Sequence, residues 1–175
     1  MQTGTYTLDP AHSSIGFTVR HAMVTKVRGE FTDFDATVTI AEEPSASTAS
    51  GTVRTASVDT RNADRDAHVR GEDFFAVEQY PEMTFTATSF DVDAQGNGTV
   101  TGDLTIKTTT KPVTFDVETF GVEEEPFGNT RLGFEARTTI NRSEYGIDFQ
   151  APLNSGGMLV SEKVGIEIEG SAIKQ

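Results

Sequence analysis

The chain has no cysteine and no tryptophan. Without cysteine there is no disulfide, no thiolate nucleophile, no iron–sulfur cluster and no cysteine zinc site, and the chain suits a reducing compartment. Cations are scarce: 14 Lys and Arg against 27 Asp and Glu leave a net charge of −13. That balance argues against nucleic acid, whose phosphates need a basic face, and against electrostatic docking on an anionic leaflet. No apolar run approaches the roughly 18 residues of a membrane-spanning helix. The opening "MQTGTYTLDP" lacks the basic and apolar segments of a signal peptide, which predicts a cytoplasmic protein if this is the natural start. Long helical repeats are missing too, as are linkers, low-complexity tracts and internal repeats. A chain of 175 residues is then one domain, 1–175, with room for a sizeable core.

What the sequence does contain is alternation. Ile15, Phe17 and Val19 share one face of a period-2 pattern, as do Ala36, Val38 and Ile40. Met83, Phe85 and Ala87 are in phase, then Phe90 and Val92 switch face, a slip that predicts a bulge or bend. Further strands follow through Val100–Ile106, Val113–Val117, Leu132–Ile140 and Val164–Ile168, with threonine filling many alternate positions. Turn chemistry separates them: "DAQGNG" at 93–98, "EEEPFGN" at 123–129, and Pro112 expected at the start of a strand rather than inside one. The count is about eight or nine strands joined mainly as hairpins, so the sheet is antiparallel. Closing it into a barrel removes its edges. An eight-stranded barrel is either filled or holds one small ligand. The inward positions mix Phe, Leu and Ile with Gly, Ala and Thr, which leaves both options open.

Three stretches break the pattern. "RHAMVTKVRG" at 20–29 is long enough for a single helical turn. "TRNADRDAHVRG" at 60–71 predicts a helix over roughly 62–70, capped by Thr60 or Asn62 and ended by Gly71. "NRSEYGIDFQAPLNSGGM" at 141–158 is too long for a tight turn, and long loops of this kind tend to carry function.

The candidate functional residues concentrate in these breaks. Arg65, Asp66 and His68 admit two readings. They sit at a barrel mouth and meet a ligand's polar head, for which a guanidinium fork suits carboxylate or phosphate. Alternatively they form a network that pins the helix to the barrel end. Phe74 and Phe75 are consecutive, so one fills the core while the other lines or closes a pocket. Asn141, Arg142, Glu144 and Tyr145 either gate the pocket or brace their loop through an Arg–Glu pair. Three histidines can form a zinc site, but His12, His21 and His68 show no local ligand spacing, so no metal and no cofactor are expected. His12 follows Asp9-Pro10 and is expected to bond that turn, and His21 to cap the pocket. Ser13, Ser14 and Ser143 stand in no nucleophile-elbow motif.

Read as blocks, "YTLDPAHSSIGFTVRHAMVTKVRGEFTDFDATV", "TRNADRDAHVRGEDFF", "YPEMTFTATSF", "GDLTIKTTTKPVTFDV" and "INRSEYGID" resemble the YceI-like family, in the family's order and over nearly the whole chain. The Asp-Pro-x-His-Ser, Arg-Asp-x-His and Arg-x-x-Tyr-Gly motifs carry the resemblance together. Tyr6 stands where Trp is frequent and Thr108 where Gly is common. The resemblance implies an all-β, lipocalin-like antiparallel barrel with one or two short helices. It implies a non-enzymatic binder of a long-chain isoprenoid, isoprenoid-quinone or other amphiphilic lipid, and a homodimer. Many relatives carry an export signal. The residues expected at such a ligand are Phe17, Val19, His21, Phe34, Phe85 and Phe134 from strands, with Arg65, His68, Phe74, Phe75, Arg142 and Tyr145 from the breaks. The rival is a hydrolase or isomerase acting on a similar ligand.

Overall fold

A computed structural model describes all of residues 1–175. Eleven strands occur: β1 (Gly4–Leu8), β2 (Ser14–His21), β3 (Thr25–Phe31), β4 (Phe34–Ile40), β5 (Thr48–Arg54), β6 (Val58–Asp59), β7 (Glu82–Val92), β8 (Gly98–Ile106), β9 (Thr109–Glu124), β10 (Thr130–Asn141) and β11 (Lys163–Lys174). One α-helix, α1 (Ala63–Arg70), lies between β6 and β7. Every pairing is antiparallel, and the circuit β1-β4-β5-β7-β8-β9-β10-β11 closes through β11 back onto β1. The result is an eight-stranded barrel, with β2-β3-β6 branching from the other half of β11. β1 and β2 lie end to end along β11, separated by the kink at Asp9–Ser13. No helix is long and apolar enough to cross a membrane.

The kink has a definite fastening. Asp9 accepts from the Ala11 amide at 3.0 Å and contacts His12 Nδ1 and Arg131 Nη1, both at 2.8 Å. These partners, Arg131 first and His12 second, hold the Asp9 carboxyl down at about 2. His12 thus bonds its own turn, and Arg131 ties the kink to β10.

The expected phase slip is present as a register shift between Ala87 and Ser89 against β8. Two local expectations need correction. Residues 20–29 form no helical turn. β2 and β3 meet in a tight hairpin whose central residues, Ala22 and Met23, take φ of 51° and 66°. Positive φ at both positions matches strand twist, and hairpin closure overrides local helix preference. Pro112 lies inside β9, not at its start. There β9 pairs with β8 alone, because its pairing with β10 runs only from Asp116. That leaves a free strand edge for the residue lacking an N–H.

Two apolar clusters make up the buried core. Tyr6, Leu8, Phe34, Ile40, Leu132 and Ala172 form one. Leu104, Ile106, Val113, Phe115, Ala136, Tyr145 and Ile147 form the other, with Phe74 and Phe75 packed onto it.

Candidate functional site

Inside the barrel runs a cavity of about 240 Å³, lined in part by members of both clusters. Of its 32 lining residues 24 are hydrophobic, and they come from strands all around the circuit. The lining reaches Ile106 at one end of β8 and Val92 and Gly96 in the hairpin at the other. Nine residues of β8, at about 3.3 Å each and tilted about 40°, set the span at about 20 Å. Ala36, Ala49 and Gly51 face it from β4 and β5, where small side chains leave the bore open. The one ionisable side chain in the lining is Asp35. Its carboxylate is mostly exposed and bonds Arg54 at 2.9 Å, away from the apolar lumen.

Of the residues expected at a ligand, Phe17, Phe85 and Phe134 line this cavity. The others lie elsewhere. Val19 is half-buried in β2 opposite Val27, beyond Phe17. His21 is exposed at the end of β2, bridged to Val160. Phe34 is buried in the cluster around Tyr6. Phe75 stacks edge-on against Phe31, a lining residue, at 5.7 Å between ring centres, so it backs the wall without forming it. Phe74 meets His68 and Phe149 at 5.1 and 5.3 Å. His68 also contacts Phe149 at 5.0 Å and bonds Asp73 at 2.8 Å. Phe31, Phe115 and Ile168 line the lumen and were not singled out by sequence. They lie on the inward phase of their strands, the one signal that finds them.

The charged residues of the breaks are engaged with backbone. Asn62, not Thr60, caps α1 by accepting from the Arg65 amide at 3.0 Å. Asp66 is buried and accepts from the Thr60 amide at 2.7 Å and the Thr60 hydroxyl at 2.5 Å. The hydroxyl bond, chiefly, holds the Asp66 carboxyl below the ordinary range. Arg65 donates to the Thr60 hydroxyl and carbonyl at 2.9 and 2.6 Å. Arg142, buried, donates to the carbonyls of Ser161, Ile147 and Val160 at 2.8, 2.9 and 3.2 Å. No Arg142–Glu144 pair forms; the carbonyls take all three guanidinium nitrogens. Burial pushes this guanidinium's pKa down from its usual value. Tyr145 is buried beside it, and its phenol is raised, mainly by burial.

The family model for the YceI-like domain matches residues 6–172. The chain belongs to the YceI-like family. A UPF0312 protein of Staphylococcus aureus is 38% identical over 164 residues, covering 93% of this YceI-like chain and 93% of the relative. A UPF0312 protein of Staphylococcus epidermidis matches to the same extent, 38% over 164 residues and 93% of each chain. Among solved structures, Burkholderia cenocepacia BcnA superposes with a TM-score of 0.80 at 25% identity, over 94% of this chain and 98% of its own. A polyisoprenoid binding domain from Saccharophagus degradans shares the fold, with a TM-score of 0.69 at 13% identity, covering 99% of this chain and 100% of that one.

Proposed function

We propose that this protein is a non-catalytic binder that sequesters or carries a long-chain amphiphilic lipid, of polyisoprenoid or isoprenoid-quinone type, in its lumen. One observation carries the reading: an apolar cavity of about 240 Å³ running along the barrel axis. Membership of the YceI-like family supports it, as does the shared fold of a polyisoprenoid binding domain. Each methylene buried contributes roughly 0.8 kcal/mol. Ten give on the order of 8 kcal/mol gross, reduced by the cost of ordering the chain. Such contacts are not directional, so the lumen reads length and girth rather than exact chemistry. The lumen also lacks the acid–base pair that hydrolysis or isomerisation would use, since its single carboxylate turns outward to Arg54.

The test is extraction of protein purified without detergent from its native host, with mass spectrometry of the organic phase. An intact prenyl or quinone lipid at near-stoichiometric amount is the expected result. An empty extract, together with no binding of a fluorescent farnesyl probe, defeats the reading. Turnover of the bound lipid that vanishes in His68→Ala points to an enzyme instead.

A further inference from the structure

Three of the six phenylalanines that line the lumen, Phe17, Phe85 and Phe134, share a feature not found by pattern alone. Each ring lies over a glycine of the neighbouring strand. Phe17 faces Gly29 directly in the β2–β3 register, and Phe134 faces Gly170 in the β10–β11 register. Phe85 lies diagonally over Gly102 across β7 and β8. A Cβ placed on Gly29 or Gly170 would fall within 3 Å of three ring carbons of the partner phenylalanine. The outer half of each ring therefore occupies the space that any other residue's side chain would take. None of the three glycines lines the cavity itself.

We infer that Gly29, Gly102 and Gly170 set the bore of the lumen, and with it selection for slender, flexible chains over rigid polycyclic lipids. This rests on the lipid-binding reading above. Glycine weakens a strand, so its use there marks a close approach. Here the approaching group is the outer end of a phenylalanine ring that leans across the neighbouring strand. Carbon atoms rest about 3.5–4.0 Å apart, so a methyl group at Gly29 or Gly170 displaces the ring by about 1 Å or more. The strand blocks one side, and the lumen receives the ring. At about 240 Å³ the cavity is already smaller than the usual range of about 300–1,000 Å³ for ligand pockets, so it has no slack to absorb the change.

The variants are Gly170→Ala and Gly29→Ala, whose nearest obstacles are ring atoms alone. Gly102→Ala is set aside because its Cβ would also strike the Thr86 carbonyl. The probes are a fluorescent farnesyl chain and a fluorescent sterol, with thermal melts to verify folding. Gly170→Ala should weaken farnesyl binding on the order of tenfold, the weight of roughly two methylenes excluded from the bore. Adding Phe134→Leu should recover most of that loss, and Phe134→Leu alone should admit the sterol that the wild type refuses. Unchanged farnesyl binding in Gly170→Ala and Gly29→Ala overturns the inference, as does a loss that Phe134→Leu fails to recover. If the wild type binds no farnesyl chain and its organic extract is empty, the lipid-binding reading falls by itself. A crystal structure of Gly170→Ala then decides the bore: a ring swung into the lumen upholds the inference, an unmoved ring refutes it.

Discussion

Two segments leave the sheet at the same end of the barrel, residues 60–81 and 142–162, and opposite charges hold them. The first folds around a buried anion, Asp66, whose carboxylate takes the Thr60 amide and hydroxyl. Two arginines add backbone bonds: Arg65 serves Thr60, and Arg70 ties the segment to Ala56 and Val58 just before it, each at 2.9 Å. The second gathers around a buried cation, Arg142, which meets three carbonyls alone. Gln150 assists only at Val160. Neither charge touches the lumen lining. The difference teaches that a buried charge can organise a loop without an ion partner, provided backbone groups satisfy it, and that a distributed network fails more gently than a concentrated one.

The largest effect expected is therefore at Arg142. Arg142→Ala strands the Ser161 and Ile147 carbonyls, leaves Val160 to Gln150, and opens a void, costing about 3–4 kcal/mol. Arg142→Lys keeps the charge but not the planar fork, costing about 2 kcal/mol. Chemical denaturation measures both. Equal, small losses in the two variants would show that the second segment is not centred on this residue. Asp66→Ala should cost less, about 2 kcal/mol, because Arg65 and Arg70 still tie the first segment to its neighbours. Arg70→Ala should cost about 1 kcal/mol.

Acid separates the two segments further. The Asp66 carboxyl is depressed in the fold, by the Thr60 hydroxyl first, then the Thr60 amide and the nearby Arg70 and Arg65. A depressed carboxyl contributes stability that is complete above its unfolded value near ~3.9 and lost as pH falls through the folded one. Asp9, held at about 2, behaves the same way over the window from about 4 down to 2. Arg142 stays protonated throughout that range. Lowering pH from 5 to 2 should thus loosen the first segment and the Asp9 kink while the second stays closed. Hydrogen exchange resolves the segments. Asp66→Asn should flatten the acid response of residues 60–81, and Asp9→Asn that of the kink; neither should alter 142–162. Simultaneous loosening of both segments in the wild type would contradict the contrast.

How far the residues announced this arrangement depends on the range of the interactions. α1 was legible because its signals are local: Asn62 at the cap, Asp64 and Asp66 in the first turn, Gly71 after the end. The barrel was legible because alternation repeats over many strands. Within the site, Phe17, Phe85 and Phe134 followed from phase. Val19 shares that phase, yet it falls beyond the cavity, because phase fixes a face and not a height along the barrel axis. The β2–β3 hairpin stood out only as a break long enough for a helical turn, since Ala22 and Met23 give no turn signal; strand pairing imposes their positive φ. Arg142 resisted reading for another reason. Its acceptors are backbone carbonyls up to 19 positions away, and carbonyls have no sequence identity. The glycine–phenylalanine couples were hidden likewise, since Phe134 and Gly170 are adjacent only through register.

The smallest expected effect tests whether the two segments act as one cap. Their direct meeting is aromatic: His68 and Phe74 of the first surround Phe149 of the second, with ring centres 5.0 and 5.3 Å away. Sequence offered His68 as a candidate ligand group. Its ring is half-exposed, and Asp73 orients it at 2.8 Å, so an alanine there removes little burial. His68→Ala should lower stability by no more than about 0.5 kcal/mol, and Phe149→Ala by somewhat more. The informative quantity is the coupling between them. Edge-to-face rings contribute about 0.5–1.5 kcal/mol beyond buried area, and a double-mutant cycle isolates that share. A coupling of about 0.5 kcal/mol or more, with exchange in 60–81 and 142–162 rising together in either variant, makes the cap a single unit despite its two opposite buried charges. A coupling near zero means each segment opens alone, and the acid-sensitive one then sets how easily that end of the barrel is breached.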